Sequence, residues 1–165
     1  MTEGYRVPKH RIPAEVVLAG QPPREIELFL AERAERHTGR ERPSDLLASG
    51  EPFFPVRTEA SGHELLRRSA VLVLTVRAED ELDPAPPEPE GLAEAGAPAE
   101  DAERREVFLQ MEDGTEVRGS VTYLGPAGSR RLQDFLNRAD AFVRVRDGDL
   151  IRLVNTSRIV RAVPS

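Results

Sequence analysis

The side chains able to do chemistry are few and scattered. The three imidazoles are His10, His37 and His63. None has a second ligand-type residue at the spacing that lets one helix or hairpin grip a cation, so no metal site is expected. There is no cysteine, which excludes disulfides, thiol nucleophiles and Cys-based zinc sites. Ser61, Gly62, His63 and Glu64 hold the residue types of a nucleophile, a base and an acid. Neighbours in one short loop cannot serve, because the base must be held opposite the nucleophile by a separate element. They read as surface loop. No glycine-rich phosphate loop and no paired-carboxylate signature is present. The chain reads as non-enzymatic and without a cofactor.

One cluster has the spacing of a small site. Arg131, Asp134 and Asn137 stand three apart, flanked by Arg130 and Arg138, and Arg42 with Asp45 repeats the first two members at the same spacing. The aspartate can accept backbone N–H groups at the start of a one-turn helix, the asparagine can close that turn, and the arginine can pair with the aspartate. These seven residues are the candidate binding positions. Arg144 and Arg146 lie close by in sequence. Together the arginines could attract an anion, which gives nucleic-acid or nucleotide binding through the second half as the alternative function. Exposed aromatics for base stacking are scarce.

The elements that must position this cluster are short strands. Residues 106–112 alternate apolar and polar, as a half-buried strand does. Asp113 and Gly114 form a two-residue hairpin signal, and 117–124 is the return strand. Residues 125–130 are loop by composition, and 132–137 suffice for one helical turn. Strands follow at 141–146, 150–154 and 158–163, the first pair joined by a tight turn at Asp147 and Gly148. The first half follows the same order, with a longer loop at 31–41 and a longer hairpin at 58–63.

That shared order suggests an internal repeat. Glu15, Val16, Leu18 and Ile26 align with Glu106, Val107, Leu109 and Val117. Arg42, Asp45, Leu47, Phe53 and Val56 align with Arg131, Asp134, Leu136, Phe142 and Val145. Residues 72–76 align with 159–163. Between the copies, residues 79–103 carry ten acids and no base. They are dense in Pro, Ala and Gly and hold no β-branched or aromatic residue, so they cannot bury enough apolar surface to order themselves and read as a disordered tether. A tether of that charge could also fold back over basic surface. The organisation expected is therefore a tail at 1–12, a first β-barrel copy at 13–78, the linker at 79–103 and a second copy at 104–165. The net charge of −6 sits in the linker, and each folded unit is near neutral or mildly basic. No apolar run reaches signal-peptide or membrane-spanning length, so the expected compartment is the cytoplasm and no membrane partner is expected.

The second copy resembles an uncharacterised small bacterial domain with the pattern Arg-Leu-x-Asp-aromatic-Leu-Asn followed by Val-Asn-x-x-x-Ile. Here these are Arg131, Leu132, Asp134, Phe135, Leu136 and Asn137, then Val154, Asn155 and Ile159. The first copy keeps Arg42, Asp45 and Leu47 but has Ala48 in place of the asparagine. More distantly, a strand, an Asp-Gly turn, a strand with a small residue (Gly119) and a final Ile-Val strand resemble Sm-like and SH3-like barrels. That implies a mainly β protein of two tandem, small, five-stranded barrel-like domains, each with a short helical turn. It implies a fold and not a function. Arg36 and Arg40 match the spaced arginines of the PilZ barrel, which binds cyclic di-GMP, but the later Ser-x-x-Gly element is absent. The expected role is a non-catalytic interaction or scaffold module, with a protein partner or self-association through strand edges.

Overall fold

The computed structural model describes residues 9–34, 39–82, 102–124 and 131–164. The protein is mainly β. The described residues form ten strands: β1 (Lys9–Leu18), β2 (Arg24–Ala31), β3 (Phe53–Thr58), β4 (Gly62–Arg67), β5 (Val71–Arg77), β6 (Ala102–Met111), β7 (Glu116–Leu124), β8 (Phe142–Asp147), β9 (Leu150–Asn155) and β10 (Ile159–Pro164). Among the described residues three short helices intervene: α1 (Pro43–Ala48), α2 (Ala78–Glu81) and α3 (Leu132–Arg138). A 3-10 turn precedes β5 at Arg68–Ala70, and another precedes β10 at Thr156–Arg158. Gly148 takes the positive φ its two-residue turn demands, 60°, whereas the expected two-residue turn at Asp113 and Gly114 is a three-residue loop, Glu112–Gly114, closed by the Met111 N–H on the Thr115 carbonyl, with Gly114 at φ 91°.

All ten strands form one antiparallel sheet in the order β10-β6-β7-β8-β9-β5-β1-β2-β3-β4. Each half has the same internal order, its fifth strand beside its first and then the second, third and fourth. The expectation of two closed barrels is met in strand number and order but not in closure: the ladder runs open from β10 to β4. The halves meet where β9 pairs with β5, from Val73 opposite Val154 to Arg77 opposite Leu150. The reason is legible in β5 itself. Its run VLVLTV is apolar on both faces, and a strand of that kind must be covered on both.

Two apolar cores result, and each draws on both halves. Val16, Leu28, Val56, Leu74 and Val76 of the first half pack with Ile151 and Leu153 of β9. Val107, Leu109, Val121, Val145 and Val154 of the second half pack with Val17, Leu72 and Val73 of the first. Leu72, Leu74, Leu153 and Val154 are all fully buried.

Pairing registers refine the internal alignment. Arg42 and Arg131 are both the residue capping a helix start, and Phe53 and Phe142 both open a strand, as expected. From there Arg57 faces Glu27, which faces Pro13, whereas Arg146 faces Ser120, which faces Glu106. Pro13 thus corresponds to Glu106, and Val16 to Leu109, two residues away from the expected match of Glu15 with Glu106. A slip of two keeps every side chain on its face, so alternation cannot detect it. At the last strand Val71, not Leu72, corresponds to Ile159. Both sit just past the 3-10 turn, opposite Leu18 and Met111, and each is followed by a bulged residue, Leu72 or Val160. The segment boundaries shift as well. Lys9–Leu18 is one strand, so the four residues from Lys9 to Ile12 join the sheet rather than a tail. At the ends of the expected linker, Glu79 to Glu81 lie in α2, and Ala102 with Glu103 opens β6.

Gly119 in β7 lies where the sheet is tightest. A Cβ there would collide with the carbonyl oxygen of Arg146 and come within 2.7 Å of Val145 Cγ1, so β7 meets β8 this closely only without a side chain.

Candidate interaction surface

The sequence-derived cluster falls on one helix. Arg131, Asp134, Asn137 and Arg138 all belong to α3 or cap it, with Arg131, Asn137 and Arg138 exposed and Asp134 half-buried. Arg130 lies outside the described residues. The helix is held by its other face, where Leu132, Phe135 and Leu136 pack on the second core. In the first half Asp45 Oδ2 accepts the Arg42 backbone N–H at 2.8 Å, the capping contact its spacing implies.

The neighbouring arginines are tied to other groups. Arg144 Nε lies 2.6 Å from Glu81 Oε1 and its NH2 is 3.1 Å from Ser44 Oγ. Arg146 Nε donates to the Gly148 carbonyl. Arg152 pairs with Asp147 and Arg158 with Glu112. Of the expected basic patch, Arg144 and Arg146 are thus engaged within the fold, whereas Arg131 and Arg138 stand exposed on α3.

A polar seam instead joins the halves. Glu81 is fully buried; its second oxygen accepts the Ser44 N–H at 3.1 Å, so a carboxylate from α2 caps α1 while holding an arginine from β8. Asn155, 3% exposed, donates to the carbonyls of Val71 at 3.0 Å and Ser69 at 3.4 Å, and accepts the Ser157 hydroxyl at 2.7 Å. Arg158 also donates to Ser69 O. The Gly20 N–H reaches Asp113 Oδ2 across the two hairpin turns at 3.4 Å. Burial pushes the Asp113 carboxyl up, but hydrogen bonds from Thr115, and this one from Gly20, leave it below the usual range. Asp80, beside the seam, is pushed up by burial and by the Glu79 charge.

Ser61 and Glu64 do contact each other. The Ser61 hydroxyl donates to Glu64 Oε2 at 2.7 Å, with Thr58 at 3.0 Å and Arg24 at 2.6 Å from the same oxygen. These bonds, from Ser61 first and then Arg24, hold the Glu64 carboxyl below its ordinary value. Gly62, His63 and Glu64 lie in β4 rather than in the expected surface loop, and His63 stacks on Phe29 with ring centroids 5.7 Å apart instead of pairing with Ser61. His37 and Arg36 lie outside the described residues, as do residues 83–101 and with them any return of the acidic segment onto basic surface. Among the described residues no group of three acids and histidines could hold a metal ion, and no helix is long and apolar enough to cross a membrane.

No family model, curated protein or solved structure matches this chain. What the molecule can bind therefore has to be read from its own surface, and the strongest signal is at the two ends of the sheet. β4 and β10 are the terminal strands, and no described strand covers their outer edges. Of the large apolar side chains among the described residues, Leu65 on β4 and Val160 on β10 are the most exposed, at 69% and 63%. By the pairing registers Leu65 corresponds to Leu153 and Val160 to Leu72, both fully buried at the central joint. Neither residue belongs to a candidate binding motif. A usable signal was present at Leu65 and Leu66, which are adjacent apolar residues in a strand, so one of the pair must face away from its own core.

Proposed function

We propose that the chain is a non-catalytic interaction module made of two copies of one small barrel-like unit of the Sm-like or SH3-like kind, fused side by side through β5 and β9, which engages protein partners by adding strands at β4 and β10. The observation that carries this reading is the exposure of Leu65 and Val160 on unpaired edges. Natural sheets usually blunt their ends with charge, proline or a cover, because open backbone groups template further pairing. Here an apolar side chain lies on each edge, the pattern of strand-addition sites in which backbone bonds supply affinity and side-chain pockets supply selectivity. Arg144 and Arg146, which the anion-binding alternative would use, are engaged within the fold.

Affinity capture with quantitative mass spectrometry tests it, using wild type, Leu65→Glu and Val160→Glu. Partners that enter at an edge drop out with the matching variant. Retention of every captured protein by both variants would refute edge binding.

A further inference from the structure

The duplicated order contains a docking instruction. In the central joint the fifth strand of one unit, β5, pairs antiparallel with the fourth strand of the other, β9. The two strands left at the sheet ends are a fourth strand, β4, and a fifth strand, β10. They are the same complementary pair, separated because each belongs to the unit on the far side of the joint. We propose that the partner at these edges is a second copy of this chain, and that β10 of one molecule pairs with β4 of the next in the register the molecule already uses internally. The inference rests on the edge-binding reading and names its occupant.

The correspondence is specific enough to give residue pairs. Residues 62–76 run through the fourth strand, 3-10 turn and fifth strand without a gap against 150–164. Leu74 faces Leu153 and Thr75 faces Arg152 at the joint. The equivalent contacts place Ala162 opposite Leu65 and Val163 opposite Glu64 of the neighbour. Leu72, which bulges out of β5 into the second core, becomes Val160, and that explains an apolar residue left two-thirds exposed. The seam has a counterpart too. Asn155 donates to the carbonyls of Ser69 and Val71; its equivalent is Arg67, and the equivalent carbonyls are those of Ser157 and Ile159. A guanidinium is also a donor, with the longer reach. Arg67 is exposed and lies over the Phe53 ring at 4.7 Å. The contact is heterologous, different strands meeting at each end, so repeated addition either closes a ring or propagates a filament.

Sedimentation velocity and light scattering on the full chain over a range of concentrations decide the matter, with Leu65→Glu, Val160→Glu and the double variant alongside. Both positions are exposed, so the variants keep the wild-type thermal transition. Wild type is expected to form multiples of the 18.3 kDa chain. Each single variant alone is expected to be monomeric, since its one working edge has no complement. An equal mixture of the two single variants is expected to stop at a heterodimer, each partner supplying the edge the other lacks. Disulfide trapping reads the register: the chain has no native cysteine, so Leu65→Cys in one molecule and Ala162→Cys in another should cross-link on oxidation. Arg161→Cys, whose side chain points to the other face, should not. A wild type that stays monomeric, single variants that still self-assemble, a mixture that fails to form the heterodimer, or trapping at 161 rather than 162 would each overturn the proposal. Edge-dependent capture of other proteins by a monomeric wild type would leave the strand-addition reading standing; edge-independent capture would remove both.

Discussion

Glu64 carries a residue-scale contribution whose sign can be worked out. Its folded carboxyl titrates below the ordinary value of 4.5 because Ser61, Arg24 and Thr58 bind the charged form. A carboxylate of that kind adds stability above its unfolded pKa, and loses it as pH falls through the lower folded value. Thermal melts from neutral pH down to about pH 3 should therefore show a steeper acid decline for wild type than for Glu64→Gln; parallel curves would show that the three donors do not act on Glu64 in solution. Asn155 is the other residue with a quantifiable role. Asn155→Ala leaves the Val71 carbonyl and the Ser157 hydroxyl without a buried partner, and should cost about 1–3 kcal/mol in urea unfolding. Its position in the Val154, Asn155 and Ile159 pattern was visible in the sequence. Its partners were not, since Val71 and Ser69 lie on the other side of the acidic segment and no local signal connects them.

At the scale of elements, the strands were the most legible feature, because alternation, Asp-Gly turns and proline placement all act locally. Residues 106–112, 117–124 and 150–154 were expected as strands and fall within or across the ends of β6, β7 and β9. Helix α2 was hidden, because AEDE reads as the start of an acidic tether until a neighbour supplies Arg144. Glu81 then serves as a cap for α1 and a counter-ion for β8 at once. Removing only the arginine takes the counter-ion from a buried carboxylate, though Arg144 itself is half in water, so Arg144→Met should destabilise by about 1–3 kcal/mol, and adding Glu81→Leu should return part of that loss. A double variant no more stable than Arg144→Met alone would show that the pair is not what couples α2 to β8. The β7–β8 approach makes an independent prediction. Gly119→Ala drives a methyl into the Arg146 carbonyl, and backbone cannot swing aside as a flexible side chain can. Overpacking of this sort costs about 1–3 kcal/mol or more, so the variant should melt well below wild type.

At the scale of the whole molecule, composition sets an acidic, proline-rich stretch between two similar halves but does not say how the halves meet. That is decided in β5, whose two apolar faces need cover from two cores. Because Ile151 and Leu153 complete the first core while Leu72 and Val73 complete the second, neither half closes its interior alone. Burial of a Leu or Ile side chain is worth about 1.5–3 kcal/mol, and units of about 60 residues have little stability to spare. Two chains, 1–90 and 91–165, should therefore be unfolded or aggregated when made singly and should assemble when co-expressed, with one cooperative melting transition. The same logic predicts a single transition in the intact chain, not two. Halves that each melt cooperatively by themselves, at the temperature of the intact protein, would mean that β5 and β9 merely touch, and the shared cores would lose their claim to hold the fold together.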